Sequence, residues 1–375
     1  MAKRGNGEGS IYQDGRGLWR AAVTLDNGKR KYLSGRTRQD VARKLSAALS
    51  AKTQGLPVAL ARQSLGHFLD RWLEDAAGPT VRPRTFESYE MIVARHLKPA
   101  LGRRMLAELS PRDVQAYMNQ KLAAGLSART VQYHRAVLRR ALGQALKWGD
   151  VARNVATLVD PPRLVRKEIE PLDVEQAGAF LGAIRGHRLE ALFTVALALG
   201  LREGEALGLR WQDIDLDGAR LRVRQQVQRI KGKGLQFTEP KTERSRRTLA
   251  LPPFAVDALR DHRVRQLQER LLAGNSWRDN DLVFPSTLGT PMDASNLIGQ
   301  YHRLLKQAGL PPRRVHDLRH TCATLLLVQG EDLRVVMEVL GHSQISLTAN
   351  TYQHVAESLK RGAADKMQAL FASRR

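Results

Sequence analysis

Between residues 8 and 33 the chain follows the period of two that a β-strand imposes, through Ile11 and Tyr12, then 19–25, then 31–33. Asp26-Asn27-Gly28 separates the last two runs, and Asn-Gly is a hairpin signal because the central turn positions require positive φ. The period then lengthens. Thr37 stands three residues before Asp40 as a capping box, and Val41, Leu45, Ala48 and Leu49 recur at helical spacing until Gly55. The first unit therefore reads as a small three-stranded sheet plus one helix.

From 65 to 148 the pattern is helical throughout, with helices predicted at 65–74, 85–96, 111–124 and 128–148. Ser110 before Pro111 supplies an N-cap with proline at the first helical position, Gly125 follows the end, and Ser127 opens the next helix. Leu138, Leu142, Ala145 and Leu146 give this segment apolar positions of its own, so it should pack as a compact all-helical domain. Asp160-Pro161-Pro162-Arg163 interrupts the pattern, and the basic stretch to Lys167 has no periodicity, which predicts a linker. The remainder is mixed. A helix is expected at 174–184 before the apolar run 189–199, strands at 218–227, 235–239 and 247–251, and helices again at 255–272 and from Asp293 onward. The fold class is multidomain α+β, with boundaries at 1–58, 63–150, a linker over 151–168, and a mainly helical domain with a small antiparallel sheet over 169–375.

Charge narrows the function. Sixty-one basic residues face 37 acidic ones, a net +24, and the excess is spread along the chain. Such a surface attracts polyanions, nucleic acid first. No apolar run approaches the ~18 residues of a spanning helix, and MAKRGNGEGS lacks the apolar core of a signal peptide. One cysteine, Cys322, excludes an internal disulfide framework and fits a reducing cytoplasm. Arginine outnumbers lysine, which either serves bidentate phosphate contacts or reflects a GC-rich genome. In the first unit Arg16, Arg20, Lys29, Arg30, Lys31 and Arg36 could line a sheet face that reads a groove. In the second, Arg129, Arg135, Arg139, Arg140 and Lys147 decorate the last helix.

The chemistry concentrates in the third unit. Arg202 follows an apolar helix and Glu205 lies three residues on, where a carboxylate could hold the arginine in place. Lys241 sits between two strand-like runs, where a hairpin tip would carry it outward. His316 and Arg319 share a helical face in HDLRHT. His316 and His320 also have the spacing of a zinc-binding pair, but the cationic Arg319 opposes a metal and Asp317 stands where glutamate is usual. His320 is read as a helix-packing residue. His342 follows the helix-ending Leu340-Gly341, and Tyr352 closes the series. Arginines neutralise a phosphate, histidines hydrogen-bond it or move protons, and a tyrosine among them is a possible nucleophile.

Taken together and in order, GLREGEALGLRWQDID, EPKTERSRRTLALP, HDLRHT, LGHS and TYQHV resemble the catalytic motifs of the tyrosine recombinases, the phage-integrase family, over roughly residues 170–356. The helical segment looks like that family's SAM-like core-site-binding domain. The sheet-plus-helix start, with GSIYQDGRGLWRAAV, resembles the arm-site-binding domain of the integrases that carry one. The resemblance implies that Tyr352 attacks the scissile phosphate, Arg202 and Arg319 clamp the non-bridging oxygens, and Lys241 protonates the leaving 5′ oxygen. It further implies that His316 helps take the tyrosine proton, His342 hydrogen-bonds the phosphate, and Glu205 orients Arg202 and His316. Lys231 and Lys233 compete with Lys241 for the acid role, and the spacing to the strand at 247–251 favours Lys241.

The implied activity is site-specific DNA integration and excision through a 3′-phosphotyrosyl link and a Holliday junction, with no metal, cofactor or ATP. The implied partners are double-stranded core-type and arm-type attachment sites, a homotetramer on DNA, a host DNA-bending protein and an excision factor, in a bacterial cytoplasm. Val355, Leu359, Ala363, Met367 and Leu370 form an apolar stripe that packs either on its own domain or on a neighbouring protomer. A type IB topoisomerase-like relaxing enzyme and a non-catalytic DNA-binding regulator of the same fold are the competing readings.

Overall fold

The computed structural model describes residues 10–24, 28, 30–53, 63–165, 170–240, 245–341, 368 and 371. The chain divides into two compact units, residues 1–166 and 167–375.

The first unit opens with the expected sheet. β1 (Ser10–Gln13), β2 (Trp19–Thr24) and β3 (Arg30–Gly35) pair antiparallel in chain order. The Asn27 of the hairpin signal lies outside the described residues, while Gly28 has φ +76. Helix α1 (Arg38–Thr53) starts where Thr37 accepts the Asp40 N–H at 3.1 Å. Its Val41, Leu45 and Ala48 bury against Ala21 and Val23 of β2.

The helical part has a separate core. α2 (Leu65–Trp72) and α4 (Pro83–Ile92) match the first two expected helices but run further. Each widens into a single π turn, Leu73–Ala77 and Val93–Leu97, and continues as the short α3 (Gly78–Thr80) and α5 (Lys98–Leu101). Pro79 and Pro99 explain the widening, because neither has an N–H to close an α turn and the π turn makes room for the ring. α6 (Pro111–Ala123) begins at the Ser110 capping box, and α7 (Ala128–Lys147) at Ser127.

The expected linker needs one correction at its start. Val151, Val155, Ala156 and Val159 are buried in the helical core, and Asn154 donates to the Arg139 carbonyl at 2.7 Å. The chain thus folds back along α7, and the packed domain extends through Val159. Residues 166–168 of the linker lie outside the described residues.

In the second unit, α8 (Val174–Ala183) leads to α9 (Glu190–Leu199), whose residues are almost all buried. α9 packs on α11 (Pro253–Ala273) and α13 (Val315–Val328), while α12 (Ala294–Gln307) packs on α8. α10 (Glu203–Leu207) and α14 (Leu333–Leu340) are short.

The expected single strand over 218–227 is two. β5 (Arg220–Val223) lies between β4 (Ile214–Asp215) and β8 (Arg247–Ala250), whereas β6 (Gln226–Ile230) pairs only with β7 (Gly234–Thr238). Among the described residues β7 and β8 do not pair with each other, so the two strands that flank Lys241 do not form the hairpin expected of them, a second correction. Lys241, His342, Tyr352 and the apolar stripe from Val355 to Leu370 lie outside the described residues. Among the described residues no helix is long and apolar enough to cross a membrane.

Candidate active site

Four helix ends and one strand converge to build the site. α9 stops at Gly200, which turns left-handed (φ 59) and frees the next residues to start a new helix. Arg202 is the N-cap of α10, and Glu205 closes its capping box by accepting the Arg202 N–H at 3.1 Å. The same carboxylate takes Arg202 Nη1 at 2.5 Å. The pairing expected on one helical face is present, but it is made at a helix start.

A second guanidinium shares that carboxylate. Arg247, the first residue of β8, donates Nη2 to Glu205 Oε2 at 3.1 Å. Glu205 is 1% exposed and the Arg247 side chain 7%. Burial alone would raise the Glu205 pKa, but Arg247 and Arg202 outweigh it and hold the carboxyl below its ordinary value. Glu205 is thus ionised, and a buried carboxylate fixes two cations.

Helix α13 supplies the remaining groups. Arg314 caps its start, and Asp317 accepts both the Arg314 N–H at 2.8 Å and its guanidinium at 2.7 Å. One turn into the helix, Arg319 is 1% exposed. It donates Nη1 to the Gly200 carbonyl at 2.7 Å and Nη2 to the Leu340 carbonyl. His316 lies on the same helix with its pKa lowered, first by burial and then by Arg319 and Arg314, so it is neutral at neutral pH and able to accept a proton. The His320 ring meets it edge-on at 5.1 Å between centroids, with a pKa pushed down to about 4 by burial. Asp317, the acid of the zinc-like pattern, is engaged at the helix start by Arg314. Among the described residues no three His, Cys, Asp or Glu side chains group as a metal ligand set.

The three arginines meet again at the C-terminus of α14. Arg247 Nε donates to the Val339 carbonyl at 2.7 Å, Arg319 Nη2 to Leu340, and Arg202 Nη2 to Gly341 at 3.3 Å. Three consecutive carbonyls, which a helix end leaves without backbone partners, are each met by a different guanidinium. Gly341 is left-handed (φ 65) and ends the helix directly before His342.

Of the expected site residues, Arg202, Glu205, His316 and Arg319 come together, and Arg247 is one that sequence reasoning missed. Its signal was present: along β8 it falls in register with buried Leu249, so an arginine occupies an inward position of an alternating strand. Among the expected DNA contacts, register places Arg20 and Arg30 with Tyr12 and Tyr32 on one face of the first sheet, while Lys31 pairs with Val23 on the face toward α1. Arg16 sits in the β1–β2 turn, and Lys29 is outside the described residues. Arg129 and Arg139 are exposed on α7, whereas Arg135 is half-buried.

A cationic cluster beside a neutral histidine, on a scaffold of this topology, is the architecture of a DNA strand-exchange enzyme. The chain belongs to the phage integrase family, which matches residues 170–358, and the family's N-terminal SAM-like domain matches residues 64–122. Its function is accordingly that of a site-specific tyrosine recombinase. A tyrosine recombinase XerC-like protein of Caldanaerobacter subterraneus subsp. tengcongensis is 34% identical, with 99% of this chain and 100% of that one aligned. An integrase of Streptomyces ambofaciens is 32% identical over 99% of this chain and 98% of its own length. The Tn1549 transposon integrase, solved in complex with a circular intermediate DNA, shares the fold. Its TM-score is 0.70 at 21% identity, over 81% of this chain and 99% of that one. A lambda integrase tetramer bound to a Holliday junction gives a TM-score of 0.57 at 17% identity, over 93% of this chain and 96% of that one.

Proposed function

We propose that this recombinase cuts and rejoins DNA through Tyr352, with Arg202 and Arg319 as the electrostatic clamp, His316 as the proton acceptor, Lys241 as the proton donor and His342 on the phosphate. The observation that carries the reading is the convergence of two oriented guanidiniums, Arg202 and Arg319, on the α14 terminus, with the neutral His316 near enough to feel the charge of both. A phosphate undergoing in-line attack gathers negative charge on its non-bridging oxygens, and fixed cations in a partly buried site stabilise that charge without reorganising. The tyrosine oxygen bonds to phosphorus as the 5′ oxygen leaves, the phenolic proton goes to His316, and Lys241 supplies a proton to the leaving oxygen. One phosphodiester replaces another, so resealing by a new 5′ hydroxyl needs no nucleotide hydrolysis. Residues 1–58 would bind arm-type sites through the face bearing Arg20 and Arg30, and 63–150 core-type sites through α7. A tetramer on DNA would complete strand exchange, as the lambda integrase tetramer on its junction supports.

The test is a nicked suicide duplex carrying the chain's attachment site, read on a denaturing gel. Wild type forms a covalent adduct with and without chelator, and Tyr352→Phe forms none. Absence of adduct from wild type, or its persistence in Tyr352→Phe, overturns the reading. Loss of adduct on chelation would instead restore the zinc reading of His316 and His320.

A further inference from the structure

We propose that Arg247 is a positioning residue for strand cleavage: through Glu205 it sets Arg202, and through the Val339 carbonyl it sets the end of α14 that delivers His342. The inference rests on the proposed tyrosine mechanism and goes beyond it, because Arg247 touches no phosphate there.

Every nitrogen of the Arg247 guanidinium already donates to an acceptor within the protein, and the side chain is only 7% exposed. Nε is used by Val339, Nη2 by Glu205 and Nη1 by the Ser245 carbonyl at 3.2 Å. Five donors in a planar fork suit a residue that must hold three acceptors from different segments at once, and lysine cannot reproduce that geometry. Each acceptor also borders a group of the site. Ser245 ends the segment that begins at Lys241, Glu205 holds Arg202, and Val339 lies three residues before His342. One guanidinium therefore ties together the chain around three of the groups assigned to phosphate chemistry. It is also the larger of the two cationic influences keeping Glu205 ionised, the other being Arg202 from the carboxylate's own turn.

Removal of the side chain leaves Glu205 with one cation in a buried place, so its pKa rises. Protonated Glu205 would no longer fix Arg202. The acid limb of the cleavage profile should then move to higher pH in Arg247→Gln. A merely structural arginine would lower the amount of folded protein without moving that limb.

The experiment compares wild type, Arg247→Gln, Arg247→Lys and Tyr352→Phe in single-turnover cleavage of the suicide duplex at saturating DNA, with affinity measured separately. Arg247→Gln is expected to cleave ~10²-fold more slowly, the scale of a misplaced reacting group, with duplex affinity changed less than about threefold. Added methylguanidinium should recover part of that rate and leave wild type unchanged. Arg247→Lys should fold and bind like wild type yet cleave slowly, which keeps the test informative where the glutamine variant fails to fold. Wild-type cleavage rates in both variants, or loss of rate and affinity in equal measure with an unmoved acid limb, would overturn the proposal. No adduct from wild type itself would instead overturn the assignment of Tyr352.

Discussion

His134 in the helical part and Arg319 in the second unit are buried to the same degree, each 1% exposed, yet one is kept neutral and the other carries a full charge. His134 sits under the Tyr117 hydroxyl at 2.9 Å and 4.4 Å from the His96 ring. Burial, then His96 and Lys121, push its pKa down to about 4. Arg319 cannot discharge, and it is met by carbonyls at the ends of two helices. Burying an unpaired charge costs several kcal/mol, so a fold that needs only packing keeps its buried polar groups neutral. A fold that must neutralise a phosphate accepts the cost and surrounds the charge with fixed acceptors.

Replacing each residue by leucine separates the two cases most sharply. Arg319→Leu should lower suicide-substrate cleavage by ~10²–10³-fold at saturating DNA, the loss typical of removing one preorganised donor. It should also lower Tm, because two buried carbonyls are left unpaired at ~1–3 kcal/mol each. His134→Leu should leave the cleavage rate within about threefold of wild type and cost ~1–3 kcal/mol of stability, because one buried hydroxyl, that of Tyr117, loses its imidazole partner. Equal cleavage defects in both variants would erase the distinction.

Gly200→Ala comes next in size, because it attacks the support of the charge while leaving the charge in place. The left-handed backbone disfavours any side chain by ~1–2 kcal/mol. A Cβ there would also stand 2.4 Å from Leu340 Cδ2 and 3.3 Å from Cys322 Sγ. Leu340 belongs to a small core with Ala323, Leu327 and Val336, so relief of the contact moves α14 and the carbonyl that Arg319 holds. Calorimetry should show a Tm lowered by several degrees, at ~2–4 °C per kcal/mol for a unit of this size. The double variant Gly200→Ala/Leu340→Ala should lose less than the sum of the singles. Strict additivity would mean that the contact between the α9 end and α14 carries no coupling.

The site was more legible than the sheet beside it, for a physical reason. Helical partners lie three or four residues apart, so His316 with Arg319, and Arg202 with Glu205, could be paired from spacing alone. Strand partners are chosen non-locally. Leu221, Val223 and Val227 keep one phase of alternation straight through Gln225, so nothing in the pattern shows that β5 joins β8 while β6 turns to β7. Arg247 was missed on the same account, since its worth depends on Glu205 and Val339, which only the fold brings to it. The helical part shows the reverse error. The pattern predicts helix ends at 74 and 96, ahead of Pro79 and Pro99, and the π turns carry both helices through.

The smallest effect is silent at neutral pH. His134 has its pKa depressed by burial to about 4 against an ordinary 6.5, so the unfolded chain binds the proton first as pH falls. The stability from a neutral imidazole is therefore complete above about pH 6.5 and is lost progressively down to about pH 4, on the order of 3 kcal/mol in all. His96 shifts in the same direction, by burial first and then by Lys121 and Arg95, and adds to the loss as pH falls below about 6.5. Urea melts of the full chain followed by hydrogen exchange of α7 amides should show protection falling between pH 6.5 and 4 in wild type. In His134→Leu the fall should be shallower, because the remaining imidazole is only His96. An unchanged pH slope in that variant would mean that the buried ring binds its proton as readily in the fold as in the unfolded chain, and the contrast with Arg319 as neutral against charged would fail.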